Sequence, residues 1–264
     1  MYLIFVLNQK IFMWDLEGKI ALITGGTKGI GKTTVEEFLD LKARVIFTSR
    51  SKKNVEDLEN SLTAKGFEVY GIVGDVSNHQ DLERIRDFVV QKFERLDILV
   101  NNAGINIRKD ATAYTTEEYR QILDINLFAP FELSRLLHPL LKKSGKASII
   151  NIASVAANQD VKSGAPYGMA KSGLLQQTRN LAVEWAQDNI RVNAVSPWYT
   201  ETPLTASVFK NTERFDKIVE RTPMKRVAQP IEMANAIAFL AMDKSSYITG
   251  QNIILDGGMS ISAL

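Results

Sequence analysis

Short apolar runs rich in β-branched residues alternate along this chain with longer stretches that carry apolar residues at helical spacing. The apolar runs predict seven strands, at 19–24, 44–48, 68–74, 98–101, 148–152, 191–195 and 252–255. The stretches between them predict helices near 30–41, 55–65, 78–93, 116–142, 167–187 and 230–242. Alternation this regular predicts a single α/β domain, with a seven-stranded parallel sheet covered by helices on both faces.

One long segment, 197–229, interrupts the alternation after the sixth predicted strand. Long connections inside a compact domain usually serve as lids or binding segments, so we expect a substrate lid near 198–229. Ligands of open α/β sheets bind beyond the carboxyl ends of the strands. The residues that directly follow each strand are therefore the candidates for function.

Residues 1–13 form a mostly apolar stretch ahead of the domain, which we place at 14–264. They lack a basic region followed by a small-residue cleavage site, and their apolar run is far shorter than the roughly 20 residues of a membrane span. We interpret them as an accessory N-terminal extension, and the start codon could equally lie at Met13. A functional apolar anchor or a subunit contact is the alternative. We expect a cytoplasmic protein.

Composition limits the available chemistry. The chain of 264 residues has no cysteine and only two histidines, His79 and His138. Disulfides and thiolate catalysis are therefore impossible, and neither histidine has the spacing of a helical zinc site. We predict that no metal is used and that both histidines are non-catalytic. The 32 basic and 30 acidic residues nearly cancel, so we expect neither nucleic acid nor membrane as a partner.

A glycine-rich turn follows the first predicted strand and leads directly into a helix. Its residues are Thr24, Gly25, Gly26, Thr27, Lys28, Gly29, Ile30 and Gly31. The glycines at 25, 29 and 31 permit a tight turn, and the free N–H groups at the start of a helix attract a diphosphate. This position predicts a dinucleotide-binding site.

The spacing T-G-x-x-x-G-x-G, together with the sequence Asn101-Asn102-Ala103-Gly104 after the fourth strand, resembles the short-chain dehydrogenase/reductase family. The resemblance extends from about Leu16 to Met259. It implies a Rossmann fold in which the turn containing Asn102, Ala103 and Gly104 borders the adenosine ribose. It also implies that the pair after the third strand, Asp75 and Val76, contacts adenine.

The end of the second strand indicates which nicotinamide cofactor is bound. NAD-dependent enzymes place an acid there to bind the ribose hydroxyls, whereas this chain has Thr48-Ser49-Arg50-Ser51. A carboxylate would repel a 2′-phosphate, but the planar guanidinium of Arg50 can bind one, and Lys28 adds a second cation. We therefore predict NADP(H), with Ser49 and Arg50 among its contacts.

Tyr167 and Lys171 are the candidates for proton transfer. Their i, i+4 spacing places them on one face of a helix, and Ser154 follows the fifth strand. A tyrosine with a pKa of about 10 is a poor catalyst near neutral pH, and we expect the ammonium of Lys171 to lower that pKa. The resemblance implies that Ser154, Tyr167 and Lys171 are the catalytic residues. It also implies that Tyr167 and Lys171 contact the cofactor, Lys171 through the nicotinamide ribose.

Asn126 lies on the apolar stripe of the predicted helix 116–142, four residues before Pro130. Pro130 has no N–H group, so the Asn126 carbonyl lacks its helical donor, and a bound water would satisfy it. The resemblance implies that Asn126 completes a catalytic tetrad through such a water. A purely structural kink is the alternative.

The sixth strand leads into Ser196-Pro197-Trp198-Tyr199-Thr200-Glu201-Thr202. Most family members have glycine after this proline, and Pro-Trp, with the Thr-Ser-Arg strand end, resembles the tropinone reductase-like branch. That branch reduces compact cyclic ketones. The resemblance implies that Pro197, Thr200 and Thr202 contact the nicotinamide. We expect an apolar lid and pocket formed by Leu204, Val208, Phe209, Ala156, Val161 and Tyr199, and no arginine is obviously placed to bind a carboxylate.

These observations favour an NADPH-dependent oxidoreductase that reduces a small-molecule ketone to a secondary alcohol, with Tyr167 as general acid. Two alternatives share its motifs: a 3-oxoacyl-[acyl-carrier-protein] reductase and a catalytically silent nucleotide-sensing scaffold. The resemblance also implies a homotetramer assembled through the long helices near 116–142 and 167–187.

Overall fold

Seven parallel strands form one sheet in the computed structural model, which describes residues 14–262. The strands are β1 (Ile20–Thr24), β2 (Arg44–Ser49), β3 (Val69–Val73), β4 (Ile98–Asn101), β5 (Ala147–Ile152), β6 (Ile190–Pro197) and β7 (Asn252–Leu255). Their order in the sheet is β3-β2-β1-β4-β5-β6-β7. The predicted Rossmann fold is therefore confirmed. The direction of winding reverses between β1 and β4, which is where open α/β sheets bind ligands.

Helices cover both faces of the sheet, which explains why most residues of the central strands are apolar and buried. One face packs against α1 (Gly29–Asp40), α2 (Lys52–Thr63) and α9 (Pro230–Ala241). The other packs against α3 (His79–Phe93), α5 (Ala129–Ser144) and α6 (Ala165–Glu184). The predicted helix 55–65 begins earlier in the structure because the Ser51 side chain accepts a hydrogen bond from the Asn54 N–H and caps α2.

The predicted single helix 116–142 is interrupted. It consists of α4 (Thr116–Leu123), a π-helical turn at Asp124–Phe128, and α5. The Ala129 N–H donates to the Asp124 carbonyl five residues back, which widens the helix at this point. Pro130 explains the interruption, because it offers no N–H to Asn126 and its ring clashes with a regular helical carbonyl.

Segment 198–229 carries two helices that the sequence did not predict, α7 (Ala206–Phe209) and α8 (Thr212–Arg221). They enclose a small apolar cluster built on Tyr199, Val208 and Ile218. The Trp198 N–H donates to the Leu255 carbonyl at 2.9 Å, and Thr200 pairs with Ala228 as an isolated parallel bridge. The first bond attaches the segment to the carboxyl end of β7, and the bridge joins the two ends of the segment to each other.

The interpretation of residues 1–13 as an extension concerns residues outside the described part of the chain. Within 14–262, no helix is both long and apolar enough to cross a membrane. The same residues contain no cluster of three His, Asp or Glu side chains arranged to hold a metal ion.

A buried polar network joins the strands that carry the site to the helices behind them. The Asn101 amide donates to Asn151 Oδ1 at 2.8 Å and to Ser134 Oγ at 3.2 Å. The Asn151 amide donates to Thr178 Oγ1 at 2.9 Å. Because Asn151 lies on β5, Ser134 on α5 and Thr178 on α6, this network fixes β5 against α6.

Replacing Asn151 by leucine removes one buried hydrogen bond from Asn101 and one from Thr178. We expect a loss of about 2–4 kcal/mol in the free energy of unfolding, measured by urea denaturation. Asn60→Leu on exposed α2 is the matched control and should change stability by less than about 0.5 kcal/mol. Equal losses in both variants would contradict the role of the network.

Candidate active site

Two adjoining cavities lie at the carboxyl end of the sheet. The larger has a volume of about 450 Å³ and the smaller about 350 Å³. Gly25, Lys28, Ala103 and Gly104 line both, so the cavities meet where β1 and β4 end. Every predicted catalytic residue and all predicted cofactor contacts except Gly31 line one or both of them.

The glycine turn has the backbone that its sequence predicts. Gly25 and Gly29 have φ angles of +68° and +52°, values that favour glycine over residues with a side chain. Gly31 has a different role. A Cβ there would lie 2.3 Å from both the Gly25 carbonyl oxygen and Asn102 Nδ2, so Gly31 permits close packing of α1 against these atoms. Gly31 lines neither cavity, and its contact with the cofactor stays a prediction.

Asn102 joins the turn after β1 to the turn after β4. Its side-chain amide donates to the Thr24 carbonyl at 2.8 Å and to the Gly25 carbonyl at 3.2 Å. The backbone N–H groups of Asn102 and Ala103 both donate to Thr24 Oγ1 at 3.0 Å. These four bonds hold the glycine turn open beside α1, whose N-terminal N–H groups favour an anion.

The smaller cavity has polar and cationic walls at the end of β2. Thr27 Oγ1 donates to Ser49 Oγ at 3.0 Å, and Asp75 and Val76 line the opposite side. Arg50 lies 3.7 Å from Asp75 in an ion pair whose arginine side chain is 59% exposed. An exposed pair of this kind contributes little stability, so Arg50 can exchange its partner for a phosphate at small cost. The glycine turn, Lys28 and Arg50 together fit a phosphorylated dinucleotide.

Asn126, Ser154, Tyr167 and Lys171 all line the larger cavity. Ser154 lies two residues after the end of β5, and its Oγ accepts a hydrogen bond from the Ala156 N–H at 3.1 Å. Tyr167 lies in the first turn of α6. Lys171 follows one turn later and is almost fully buried; its Nζ donates to the Ile152 carbonyl at 2.7 Å and lies 5.7 Å from the centre of the Tyr167 ring.

Burial shifts the pKa of both proton-transfer candidates. Desolvation lowers the pKa of Lys171 from 10.5 to about 7. Desolvation also raises the pKa of Tyr167 above 10.0, while hydrogen bonding to Ser154 and the charge of Arg108 oppose this rise. The expectation that Lys171 lowers the pKa of Tyr167 is therefore wrong for this structure, because desolvation dominates and the opposing cation is Arg108.

Asn126 lies in the π-helical turn and is fully buried. Its amide donates to the carbonyls of Ile105 at 2.9 Å and Ile122 at 2.8 Å, and its Oδ1 has no protein partner. A Cβ on Gly104 would lie 2.8 Å from this oxygen and 3.8 Å from Lys171 Nζ. Gly104 therefore leaves open the space between Asn126 and Lys171.

The substrate end of the cavity differs in part from the sequence prediction. Pro197, Thr200, Thr202, Leu204, Val161 and Tyr199 line it, whereas Ala156, Val208 and Phe209 do not. Val208 instead fills the small core of segment 198–229. Trp198 also lines the cavity, and its indole N–H donates to Thr222 Oγ1 at 3.1 Å.

The polar residues of this cavity that sequence reasoning missed include Asn106 and Arg108. Both belong to the loop that follows β4, and their position after a strand end is the signal that could have identified them. The statement that no arginine is placed to bind a carboxylate is corrected by Arg108.

Neither histidine lines either cavity. His138 Nε2 lies 2.9 Å from Asp188 Oδ2, and His79 Nδ1 lies 3.2 Å from Glu132 Oε1. Both imidazoles therefore form contacts between elements away from the site.

Comparison with known proteins yields relatives that match nearly the whole chain. A family model described as enoyl-(acyl carrier protein) reductase matches residues 25–260. Two tropinone reductase homologs of Arabidopsis thaliana are 44% and 45% identical, over 94% of this chain and 95% and 93% of the respective relatives. A gluconate 5-dehydrogenase of Burkholderia cenocepacia, solved in complex with NADP and tartrate, is 29% identical with a TM-score of 0.91, covering 95% of this chain and 98% of that one. The ligand-free aldohexose dehydrogenase of Thermoplasma acidophilum is 30% identical with a TM-score of 0.85, covering 94% and 96%.

The lowered pKa of Lys171 predicts a specific pH dependence of stability. Between about pH 7 and pH 10.5 the unfolded chain binds a proton at Lys171 that the folded protein releases, so folding becomes more favourable as pH rises. Lys171→Met lacks this effect. We expect wild type to gain stability relative to the variant from pH 7 to pH 9, by at most about 1.4 kcal/mol per pH unit in urea denaturation.

Lys65→Met, at an exposed position, is the control for loss of one positive charge. Its stability difference from wild type should stay constant over the same range. A constant difference for Lys171→Met as well would show that the buried amine keeps an ordinary pKa.

Proposed function

The chain belongs to the short-chain dehydrogenase/reductase family, and we propose that it catalyses the reversible, NADPH-dependent reduction of a ketone to a secondary alcohol. One observation carries this proposal. Asn126, Ser154, Tyr167 and Lys171, from three separate parts of the chain, reach one cavity that adjoins the glycine turn. Small molecules are the substrates that a cavity of about 450 Å³ accommodates.

Ser154 and Tyr167 act on the carbonyl oxygen of the substrate. The Ser154 hydroxyl donates a hydrogen bond that orients and polarises the carbonyl, and the Tyr167 hydroxyl donates the proton. Because burial raises the pKa of Tyr167, the phenol holds this proton at neutral pH, which suits the direction of ketone reduction. Bound NADPH supplies the hydride. In the reverse direction Tyr167 accepts the proton of an alcohol.

Lys171 and Asn126 serve the proton supply behind Tyr167. With a pKa of about 7, Lys171 can gain or lose a proton near neutral pH. The unpartnered Asn126 Oδ1 and the open space beside Gly104 are suited to a water molecule between the amide and the amine. Such a water would connect the buried amine to a proton path from solvent.

The preference for NADPH rests on the end of β2. Ser49 and Arg50 stand at this strand end, where a carboxylate would repel a 2′-phosphate. Lys28, which also lines the smaller cavity, adds a second cation. Asp75 is the acid nearest to Arg50, and it is held by hydrogen bonds from the Ser77 N–H and hydroxyl. The related gluconate 5-dehydrogenase was crystallised with NADP, which agrees with this choice.

The proposal extends to the lid and to assembly. Segment 198–229 contributes Leu204 and Thr205 to the cavity wall, where a lid would exclude water.

The homotetramer predicted from the sequence would cover apolar side chains that are exposed beside the site helices: Phe128, Phe131, Met169 and Val183. The expected cytoplasmic location is part of the same proposal.

A second candidate activity is the reduction of a 3-oxoacyl group on an acyl carrier protein. The matching family model, whose description names an acyl carrier protein, favours it. The similarity to tropinone reductase homologs favours free cyclic ketones. Comparing kcat/KM for a 3-oxoacyl carrier-protein thioester with kcat/KM for cyclic ketones separates the two activities.

Tyr167→Phe removes the proton donor but keeps the ring. We expect kcat for ketone reduction to fall by about 10²- to 10⁴-fold, while NADPH binding followed by cofactor fluorescence stays measurable. Tyr247→Phe, at a fully exposed tyrosine, should retain wild-type turnover. Near-normal kcat in Tyr167→Phe would exclude the proposed mechanism.

Arg50→Gln tests the choice of cofactor. Wild type should use NADPH with a higher kcat/KM than NADH. In the variant, kcat/KM for NADPH should fall about tenfold or more because a charge-assisted bond to the 2′-phosphate is lost. The value for NADH, which lacks that phosphate, should hardly change. A wild-type preference for NADH would refute the assignment.

A further inference from the structure

The loop after β4 carries a guanidinium that the mechanism above does not use. Arg108 lines the larger cavity, and its Nε is buried without a hydrogen-bond partner. Leaving a buried donor unpaired costs about 1–3 kcal/mol of stability. Unpaired buried polar groups of this kind mark places where a ligand completes the bonding.

Arg108 also has no ion-pair partner among residues 14–262. The next residue, Lys109, differs in this respect because its Nζ lies 2.6 Å from Glu118 Oε1. The loop thus contains one cation that is neutralised by the protein and one that faces the cavity uncompensated. A second buried atom of this wall, Asn106 Oδ1, is also unpartnered.

The charges around the cavity all have the same sign. Its lining includes Lys28, Arg108 and Lys171, and none of the described residues that line it is an aspartate or a glutamate. A cationic substrate would therefore meet no counterion, whereas an anionic substrate would meet an unpaired guanidinium. Arg108 lines the same cavity as Ser154 and Tyr167, and its charge favours a lower pKa of the Tyr167 phenol.

We propose that Arg108 is the substrate-recognition residue of this cavity and that the substrate is a ketone carrying a carboxylate, bound by the guanidinium through charge-assisted hydrogen bonds. This inference rests on the proposed function. Arginine suits the role because its planar fork matches a carboxylate and its charge does not depend on pH in the working range. Asn106 Oδ1 can accept a hydrogen bond from a hydroxyl of the same substrate.

The carboxylate takes no part in the chemical step. A hydride adds to the carbonyl carbon, Tyr167 transfers its proton to the carbonyl oxygen, and the product is a hydroxy acid with its carboxylate unchanged. NADPH is oxidised to NADP⁺, and one proton from solvent restores Tyr167. Arg108 contributes by orienting the substrate so that its carbonyl lies beside Ser154 and Tyr167.

Binding of unreactive analogues tests the assignment independently of turnover. With NADP⁺ present, we expect wild type to bind cyclohexanecarboxylate about 10- to 100-fold more tightly than cyclohexanecarboxamide, measured by calorimetry. Arg108→Gln should bind the two compounds equally. Arg108→Lys, which keeps the charge but loses the fork, should retain part of the preference. Arg86→Gln, at a surface arginine paired with Asp87, is the matched control and should behave as wild type.

Turnover gives the second measurement. Wild type should reduce 4-oxocyclohexanecarboxylate with a higher kcat/KM than its methyl ester, and 1-methyl-4-piperidone, a cation near neutral pH, should be the poorest substrate. Arg108→Gln should lose about 10- to 100-fold in kcat/KM for the acid and little for the ester. Thermal unfolding of each variant shows whether it is folded.

The outcomes separate the two proposals. Equal binding of carboxylate and carboxamide to wild type, or an equal loss of both in Arg108→Gln, would overturn the role of Arg108. If the carboxylate preference depends on Arg108 but no ketone is reduced, the recognition site stands and the proposed reaction fails. If ketones are reduced with no preference for the acid, the reaction stands and the substrate class is wrong.

Discussion

The position of every other part of the site depends on the hydrogen bonds of Asn102. They fasten the turn after β1 to the turn after β4 at the point where the sheet reverses its winding. Because the sheet is parallel, all strand ends that carry functional side chains meet at this edge. Gly31 lets α1 approach closely enough for these hydrogen bonds to form, since any side chain there would collide with Asn102. Opening this contact would separate the cofactor cradle from the reaction centre.

Desolvation determines the chemistry of the side chains that gather there. It lowers the pKa of Lys171 to about 7 and raises the pKa of Tyr167, so burial favours the uncharged form of both the amine and the phenol. Three buried polar atoms without protein partners, on Asn106, Arg108 and Asn126, line the same cavity. Each carries a stability cost that well-packed cores avoid, and their concentration in one place is typical of a site built to bind ligands.

The hydrophobic pattern of the sequence predicted the strands best. It predicted least well which side chains from distant segments contact one another. Ile98–Asn101 and Asn252–Leu255 were predicted to the residue, because each is a short apolar run with clear ends. The predicted helix 116–142 failed at Asp124–Phe128, although Pro130 already indicated that Asn126 would lack its helical donor. Apolar residues of segment 198–229 were assigned to the pocket, but Val208 packs inside the segment, because hydrophobicity alone does not show which apolar surface a side chain will cover.

The sequence by itself determined the fold and the cofactor turn, because these depend on periodicity and on short spacings within single elements. The candidate tetrad was proposed from the resemblance of its motifs to the short-chain dehydrogenase/reductase family. Only the tertiary structure decided the electrostatics of the cavity. Desolvation and Coulomb interactions depend on distances between residues far apart in the chain, and no local pattern encodes those distances. Arg108 illustrates the difference: in the sequence it is one basic residue next to another, and in the folded protein it is an unpaired cation in the wall of the cavity that Tyr167 also lines.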